Sequence, residues 1–192
     1  MERKLKRNNK LFFEEMRKVD PHFFDRMVQG QEPELFVLAC SDSRVSPSVI
    51  TQMPLGKLFI HRNIGNQVNE HDESFSASLY YALKHLKVKG ILIIGHTHCG
   101  GIDAAVNGNN EEALKPWLKG IRESFINENS TQMCTGQLSE THLLKQVERL
   151  NGHPIYKEFG QHIPIIPVVY HIENGEIEFI KYQERTVNAK DM

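Results

Sequence analysis

Two short segments of the sequence contain residue types that bind metal ions. Each segment comes directly after a run of apolar residues that predicts a buried strand, residues 35–39 in the first case and 91–94 in the second. Thiolates and imidazoles are the ligands that zinc commonly takes in proteins. The sequence therefore predicts a zinc site between the two strand ends. The candidate ligands are Cys40 in the first segment and His96, His98 and Cys99 in the second.

The spacing leaves open which histidine binds the metal. His96 lies three residues before Cys99 and His98 lies one before it, and two residues on one turn face different directions, so one of them should bind. The alternative for Cys40 and Cys99 is that they are small core residues, as free cysteines often are. Their position at two strand ends, next to a histidine, favours the metal site. Cys134 lies in a polar stretch and is predicted to be a free surface thiol.

Asp42 and Arg44, which follow Cys40 closely, allow two kinds of zinc site. Asp42 could supply a fourth ligand and close the site, as in a structural zinc centre. It could instead pair with Arg44 and leave the fourth position to water, as in a catalytic centre. The planar guanidinium of Arg44 offers a carboxylate two parallel hydrogen bonds, which favours the open site.

Composition limits the classes of function. A chain of 192 residues is typical of one domain, here predicted over residues 1–192. With 23 basic and 24 acidic residues the net charge is -1, so no nucleic-acid partner is expected. No apolar run approaches the roughly 20 residues needed to cross a bilayer, and the charged N-terminus lacks a signal-peptide core. We therefore expect no membrane partner and a cytoplasmic location. An odd cysteine count of 3 argues against a disulfide framework.

Strands and helices alternate along most of the chain. Parallel strands are predicted at residues 35–39, 57–61 and 90–95, and further helices at 111–125 and at 139–150, where Ser139 is the candidate N-cap. Between the last two strands, apolar residues recur at helical spacing: Phe75, Leu79, Leu83 and Leu86. This alternation is typical of an α/β fold with a mostly parallel central sheet flanked by helices.

The two ends of the chain differ from this pattern. Asn174-Gly175, between residues 168–172 and 177–182, predicts an antiparallel edge hairpin near the C-terminus. Residues 1–30 are predicted to form an N-terminal helical arm in two pieces, with Asp20 as the N-cap of the second piece and Gly30 as its stop.

The motifs together resemble those of the β-class carbonic anhydrases, zinc enzymes that interconvert carbon dioxide and bicarbonate. The resemblance covers nearly the whole chain, and the two cysteine motifs at this separation are specific to the family. The matching runs are Cys40-Ser41-Asp42-Ser43-Arg44, His61-Arg62-Asn63-Ile64-Gly65-Asn66 and Gly95-His96-Thr97-His98-Cys99-Gly100-Gly101.

The resemblance implies a function and a set of roles. One zinc ion per subunit would be held by Cys40, His96 and Cys99, and zinc-bound hydroxide would attack carbon dioxide to give bicarbonate and a proton. Asp42 and Arg44 match the catalytic pair in which the arginine holds the aspartate off the metal. The residues that match the family's substrate pocket are Gln31, Phe59, Ile64, Tyr81 and Gly100. Family members are homodimers or larger homo-oligomers, in which the N-terminal arm packs on a partner subunit.

The resemblance also indicates a branch of the family. One branch closes its site by placing the aspartate on zinc, and binds bicarbonate in a pocket built from tryptophan, arginine and tyrosine. Here Arg62 and Tyr170 occupy two of these positions, but Val37 replaces the tryptophan. Because valine has no indole N–H and a smaller volume, we expect the plant-like branch with an open site.

Two other functions fit parts of the sequence. A hydrolase of carbon disulfide or carbonyl sulfide on the same scaffold would use similar chemistry. A non-catalytic, zinc-stabilised domain is the alternative from another class. Asp42, Arg44 and Gln31 count against that second alternative, because a purely structural zinc site has no use for them.

Overall fold

The computed structural model describes residues 1–182. The chain divides into two compact units, Met1–Glu32 and Pro33–Met192. This division falls two residues after the predicted end of the N-terminal arm. The single domain expected over residues 1–192 stays a prediction, and residues 183–192 of that range lie outside the described part of the chain.

The first unit consists of two helices, as the sequence predicts. Helix α1 spans Glu2–Val19 and helix α2 spans Phe23–Val28. The prediction that Asp20 is the N-cap of the second helix is wrong, since His22 occupies that position. The Asp20 carboxylate instead accepts the backbone N–H of His22 at 3.0 Å, closing a turn before the helix starts.

The second unit is built on a five-stranded sheet with the order β2-β1-β3-β4-β5. Strands β1 to β4 are parallel, and β5 pairs antiparallel with β4. The predicted fold class, a mostly parallel sheet with an antiparallel edge, is confirmed. The strand bounds are Leu35–Cys40, Leu58–Asn63, Gly90–His96, Ile165–Tyr170 and Ile177–Phe179 for β1 to β5. Strand β4 serves both as the fourth parallel strand and as the first strand of the hairpin, and the sequence had indicated only the second of these roles.

Helices follow each of the first three parallel strands, whereas β4 leads through a turn into β5. The first group is α3 (Pro47–Ile50), α4 (Glu73–Tyr80), which continues as a π-helical turn over Tyr81–Leu86, and α5 (Gly100–Val106). The second group is α6 (Lys115–Arg122), α7 (Thr135–Gly152) and α8 (Pro154–Phe159), with short 3-10 turns at Glu123–Phe125 and Ser130–Gln132. Within residues 1–182 no helix is both long and apolar enough to traverse a bilayer.

One predicted helix start is wrong. The N-cap of α7 is Cys134, not Ser139, because the Gln137 side chain accepts the Cys134 backbone N–H at 2.9 Å and starts the helix earlier. Ser139 lies inside α7, where its hydroxyl is 2.7 Å from the carbonyl oxygen of His96 and 2.8 Å from that of Thr135. A residue expected to begin a helix therefore anchors α7 to the end of β3.

Both faces of the sheet are covered. Phe36 and Leu38 point to a large core that also includes residues of α4, α7 and α8. Val37 and Ala39, which alternate with them along β1, belong to a separate cluster on the other face. Because both faces are buried, the central strands are continuous apolar runs without alternation.

Candidate metal centre

The site lies where the order of the strands reverses. The chain passes from β1 to β2 on one side and then returns to form β3 on the other side of β1. Such a reversal opens a crevice at the carboxyl ends of the two strands, where open α/β sheets bind their ligands. Cys40 is the last residue of β1 and His96 the last of β3, while Cys99 is the N-cap of α5.

The structure brings three predicted ligands together. One ligand atom from each of Cys40, His96 and Cys99 lies within 4.8 Å of the other two. Their side chains are buried, with exposed fractions of 4%, 0% and 3%. The carboxylate of Asp42 is not part of this group. The geometry is that of a three-ligand metal site.

The hydrogen bonds of His96 show that a metal ion fits here. Its Nδ1 lies 2.9 Å from the carbonyl oxygen of Thr97, and a carbonyl only accepts, so Nδ1 carries the proton. The lone pair is then on Nε2, which is buried and without a hydrogen-bond partner among the described residues. A buried polar atom left unpaired is costly, and a metal ion at this position would satisfy it.

His98, the competing histidine, is exposed and stands outside the ligand group. Its backbone adopts φ +53°, in the left-handed region. The backbone N–H of His98 donates to the Thr135 hydroxyl at 2.6 Å, and its carbonyl accepts from Arg44 at 3.0 Å. His98 therefore holds the loop by its main chain while its ring stays outside the site.

The two ligand thiols interact and shift each other's pKa in opposite directions. Cys40 Sγ and Cys99 Sγ are 4.0 Å apart. A hydrogen bond from Cys99, helped by the Gly65 backbone N–H at 3.4 Å, lowers the pKa of Cys40 to about 4. The hydrogen bond with Cys40 and burial raise the pKa of Cys99, because a second thiolate beside the first is disfavoured.

Asp42 is held by Arg44 through both carboxylate oxygens. Oδ1 accepts from the Arg44 backbone N–H at 2.9 Å and from Nε at 3.0 Å, and Oδ2 accepts from Nη2 at 2.8 Å. The Arg44 guanidinium keeps the pKa of Asp42 well below its usual range. Asp42 is therefore an ionised carboxylate oriented by a two-pronged partner, as the open-site interpretation requires.

Arg62 contributes a contact that the sequence analysis did not predict. Its Nε and Nη2 donate to the Cys40 carbonyl at 2.9 and 2.7 Å, and Nη2 also donates to the Asp42 carbonyl at 2.7 Å. Arg62 thus fixes the backbone that carries both a ligand and the carboxylate. The one feature of the sequence that could have indicated this role is a charged residue near the end of β2, which pairs in register with Ala39 of β1.

The predicted pocket residues differ in how close they lie to the metal ligands. Ile64 lies beside the metal loop, since a Cβ placed on Gly101 would come 2.8 Å from Ile64 Cγ2, whereas a Cβ on Gly100 would meet nothing within 4 Å. Phe59 packs instead against Tyr81, with ring centroids 5.8 Å apart. It lies four residues before the end of β2, about 13 Å along the strand from the level of Cys40.

Two further residues named in the sequence analysis are Gln31 and Cys134. Gln31 belongs to the first unit of the chain. Cys134 is exposed and forms no disulfide, as expected of a free surface thiol.

Fold and site together define an α/β protein with a Cys-His-Cys metal site at the switch point of a parallel sheet. The sequence matches the family model described as carbonic anhydrase over residues 35–177. The solved β-carbonic anhydrases of Sordaria macrospora, described as tetrameric, superpose with a TM-score of 0.86 at 28% identity, covering 94% of this chain and 96% of theirs. The chain belongs to the carbonic anhydrase family, and within it to the β class.

Two relatives described as carbonic anhydrases also match. The protein of Emericella nidulans is 39% identical over 122 residues, which cover 64% of this chain and 54% of the relative. The protein of Synechococcus elongatus is 30% identical over 169 residues, which cover 80% of this chain and 62% of the relative. The matched regions thus span little more than half of the length of these relatives.

Proposed function

We propose that this protein catalyses the reversible hydration of carbon dioxide to bicarbonate and a proton, with one zinc ion per chain. The observation that carries the proposal is the combination of three buried ligand atoms with a carboxylate held aside by an arginine. A structural zinc site would use the carboxylate as a fourth ligand. The arrangement here leaves the fourth position for a reactant.

The ligand atoms would be Cys40 Sγ, His96 Nε2 and Cys99 Sγ. Zinc bound to them would lower the pKa of a coordinated water to about 7 and so supply a nucleophile at neutral pH. Asp42, being ionised, can only accept hydrogen bonds, so it would accept the O–H of the attacking water and aim the oxygen lone pair at the carbon. Arg44 would hold that carboxylate in place.

The plant-like, open-site branch is the subtype that these contacts favour. Both oxygens of Asp42 are engaged by Arg44, so closing the site would require breaking a bidentate ion pair. Val37 is completely buried in an apolar cluster and offers no N–H to an anion. The Arg62 guanidinium already donates hydrogen bonds to two backbone carbonyls. A bicarbonate site that would favour the closed state therefore lacks the tryptophan N–H, and its arginine is already hydrogen-bonded to the backbone.

We further propose that the active pocket is completed by a second copy of the chain. Phe59 lies about 13 Å along its strand from the level of Cys40 and packs against Tyr81, whereas Ile64 lies beside the metal loop of its own chain. Several large apolar side chains stay exposed in the second unit, among them Ile60, Ile64, Tyr80 and Tyr81. Phe59 and Tyr81 of one subunit would then face the metal of another, in a homodimer or a larger homo-oligomer.

The N-terminal unit fits the same proposal. Leu11, Phe12 and Phe13 of α1 are exposed by 51%, 40% and 38%. Large apolar side chains exposed to this extent favour a surface that covers them. We place residues 1–30 against the partner subunit as an arm of one domain.

A reducing, cytoplasmic location suits the site, because Cys40 and Cys99 bind metal only as free thiolates.

Stopped-flow hydration of carbon dioxide by the zinc-loaded protein tests the proposal. We expect turnover that a strong zinc chelator abolishes and added zinc restores. Carbonyl sulfide is the matched second substrate, and preference for it over carbon dioxide would assign the hydrolase function instead. Stoichiometric zinc without turnover of either substrate would indicate a structural site and refute the proposal.

A further inference from the structure

One peptide bond links the metal site to a helix outside it. The N–H of Gly65, in the bond between Ile64 and Gly65, donates to Cys40 Sγ at 3.4 Å. The carbonyl of the same bond, on Ile64, accepts the indole Nε1–H of Trp117 at 2.8 Å. Trp117 lies on α6 and is the single tryptophan of the sequence.

The geometry of the peptide bond couples these two contacts. In a planar trans peptide the N–H and the C=O point in opposite directions. Holding the Ile64 carbonyl on the Trp117 side therefore aims the Gly65 N–H at the Cys40 sulfur. A hydrogen bond to the carbonyl also polarises the peptide and makes its N–H a stronger donor.

A second side chain fixes Gly65 from its other end. The Gly65 carbonyl is 2.7 Å from Nε2 of His142, which must be the donor because a carbonyl only accepts. His142 is 1% exposed, and its Nδ1 is 2.9 Å from the Ser124 hydroxyl. Both ring nitrogens of His142 are thus partnered. Gly65 itself has φ +77°, a conformation that glycine adopts readily, and a Cβ there would come 2.8 Å from Ile121 Cδ1. The hydrogen bonds therefore fix a conformationally free residue where no side chain fits.

We propose that Trp117 and His142 are positioning residues that hold the Ile64–Gly65 peptide with its N–H on the sulfur of Cys40. Neither side chain touches the metal position. They act through Gly65, whose N–H stabilises the Cys40 thiolate and sets the direction of its remaining lone pairs. The inference rests on the proposed zinc site, since it assigns to these residues the support of one zinc ligand.

The size of the effect follows from the behaviour of partners that orient metal ligands. Loss of such a partner typically costs about 10- to 100-fold in metal affinity or activity. Because Trp117 acts through one intervening peptide, we expect the lower end of this range. Replacing its N–H should weaken zinc binding about tenfold and change the bonding of the Cys40 sulfur.

The single tryptophan allows a test that changes one donor. The full chain is produced with β-(benzothien-3-yl)alanine, in which sulfur replaces the indole N–H, and separately with 4-fluorotryptophan, which retains the N–H. Zinc affinity is measured by competition with a chelator, and the cobalt-substituted proteins are compared by their thiolate-to-cobalt charge-transfer absorption.

We expect about tenfold weaker zinc binding and a shifted charge-transfer band for the benzothienyl protein. The fluorotryptophan protein should stay within about twofold of the unmodified chain in affinity, with the band in place. Equal affinity and equal spectra in all three proteins would overturn the role of Trp117. Weaker binding with an unchanged band would also overturn it, because it would indicate general loosening of the fold.

His142 is tested by a pair of substitutions. His142→Gln keeps an N–H donor near the position of Nε2, whereas His142→Leu removes it. We expect the glutamine variant to bind zinc within about threefold of the wild type and the leucine variant about tenfold more weakly. A glutamine variant as weak as the leucine variant would overturn the role of His142.

Should His142→Leu fail to fold, His142→Gln decides alone, since tenfold weaker binding in a folded glutamine variant contradicts the proposal. None of these measurements uses carbon dioxide. Absence of hydration by the unmodified, zinc-loaded protein would therefore count against the proposed function and not against this inference.

Discussion

Two histidines of the second unit, His96 and His61, each have a buried ring nitrogen without a hydrogen-bond partner in the described structure. Their other nitrogens are engaged, by the Thr97 carbonyl at 2.9 Å and by the Ser78 hydroxyl at 3.3 Å. By hydrogen bonding alone the two side chains look equivalent.

Their surroundings differ. Two cysteine sulfurs lie near the free nitrogen of His96. The ring of His61 instead meets the edge of Phe75 at 5.5 Å, and Phe75 meets His153 on another side at 5.6 Å. An unpaired nitrogen thus indicates a metal site only when other ligand atoms converge on it, and otherwise belongs to the packing of a core.

Removing each histidine in turn gives the largest expected difference. His96→Ala removes one of three ligands and should weaken zinc binding on the order of a thousandfold, taking a third of a typical binding free energy. His61→Leu should leave zinc affinity within about threefold, because no ligand group surrounds His61. Metal analysis of the purified variants and chelator competition measure both. Stoichiometric zinc in His96→Ala, or zinc loss in His61→Leu, would break the comparison.

The ligand residues could be predicted from the sequence because their signals are local. Apolar runs predicted β1 and β3, and parallel neighbours bring their carboxyl ends together, so Cys40 and His96 had to be close. The choice of His96 over His98 did not follow from spacing. The resemblance to the family implied it, and in the described residues His96, not His98, joins the two cysteines in the ligand group.

The supporting residues could not be predicted, because they act over long separations in the sequence. Arg62 lies 22 residues from the carbonyl of Cys40, Trp117 lies 53 residues from that of Ile64, and His142 lies 77 residues from that of Gly65. Periodicity predicts which helix face is buried but not which carbonyl a buried side chain will meet. The early start of α7 at Thr135 has a different, local cause, since the Gln137 side chain accepts the Cys134 backbone N–H and caps the helix there.

Two phenylalanines sharpen the comparison through stability. Phe75 is fully buried between His61 and His153, so Phe75→Ala should cost about 3–5 kcal/mol in the free energy of unfolding and leave zinc affinity unchanged. Phe125 packs in the cluster that includes Cys40 and Cys99, and it stacks on His142 at 6.2 Å. Phe125→Ala should lower both the free energy of unfolding and the zinc affinity. Denaturant unfolding and chelator competition separate them, and a loss of zinc affinity in folded Phe75→Ala would contradict the division.

Two arginines compare a positioned ion pair with an ordinary one. Arg44→Ala frees Asp42 to reach the fourth ligand position, so we expect zinc to be retained and kcat/KM for hydration to fall about 100-fold. Arg149→Ala is the matched control, because Arg149 pairs with Glu123 at 2.9 Å away from the ligand group. It should keep activity within about twofold. Near-native turnover in Arg44→Ala would remove the Asp42–Arg44 pair from the mechanism.

The smallest expected effect is on the pH dependence of stability. Burial lowers the pKa of His61 and of His153 below the ordinary value of 6.5. Below about pH 6.5 the unfolded chain therefore takes up protons that the folded chain refuses, so the free energy of unfolding falls with decreasing pH. Denaturant unfolding at a series of pH values should show a shallower fall in His61→Leu than in the wild type. Identical slopes would show that His61 is not held in its neutral form.

The most direct test of the proposed site is a crystal structure of the zinc-loaded protein near pH 7. The account predicts zinc on Cys40 Sγ and Cys99 Sγ at about 2.3 Å and on His96 Nε2 at about 2.0–2.1 Å. Both oxygens of Asp42 should remain on Arg44, with the fourth position held by water or a small anion. An Asp42 oxygen bonded to the zinc, or His98 in place of His96, would contradict it.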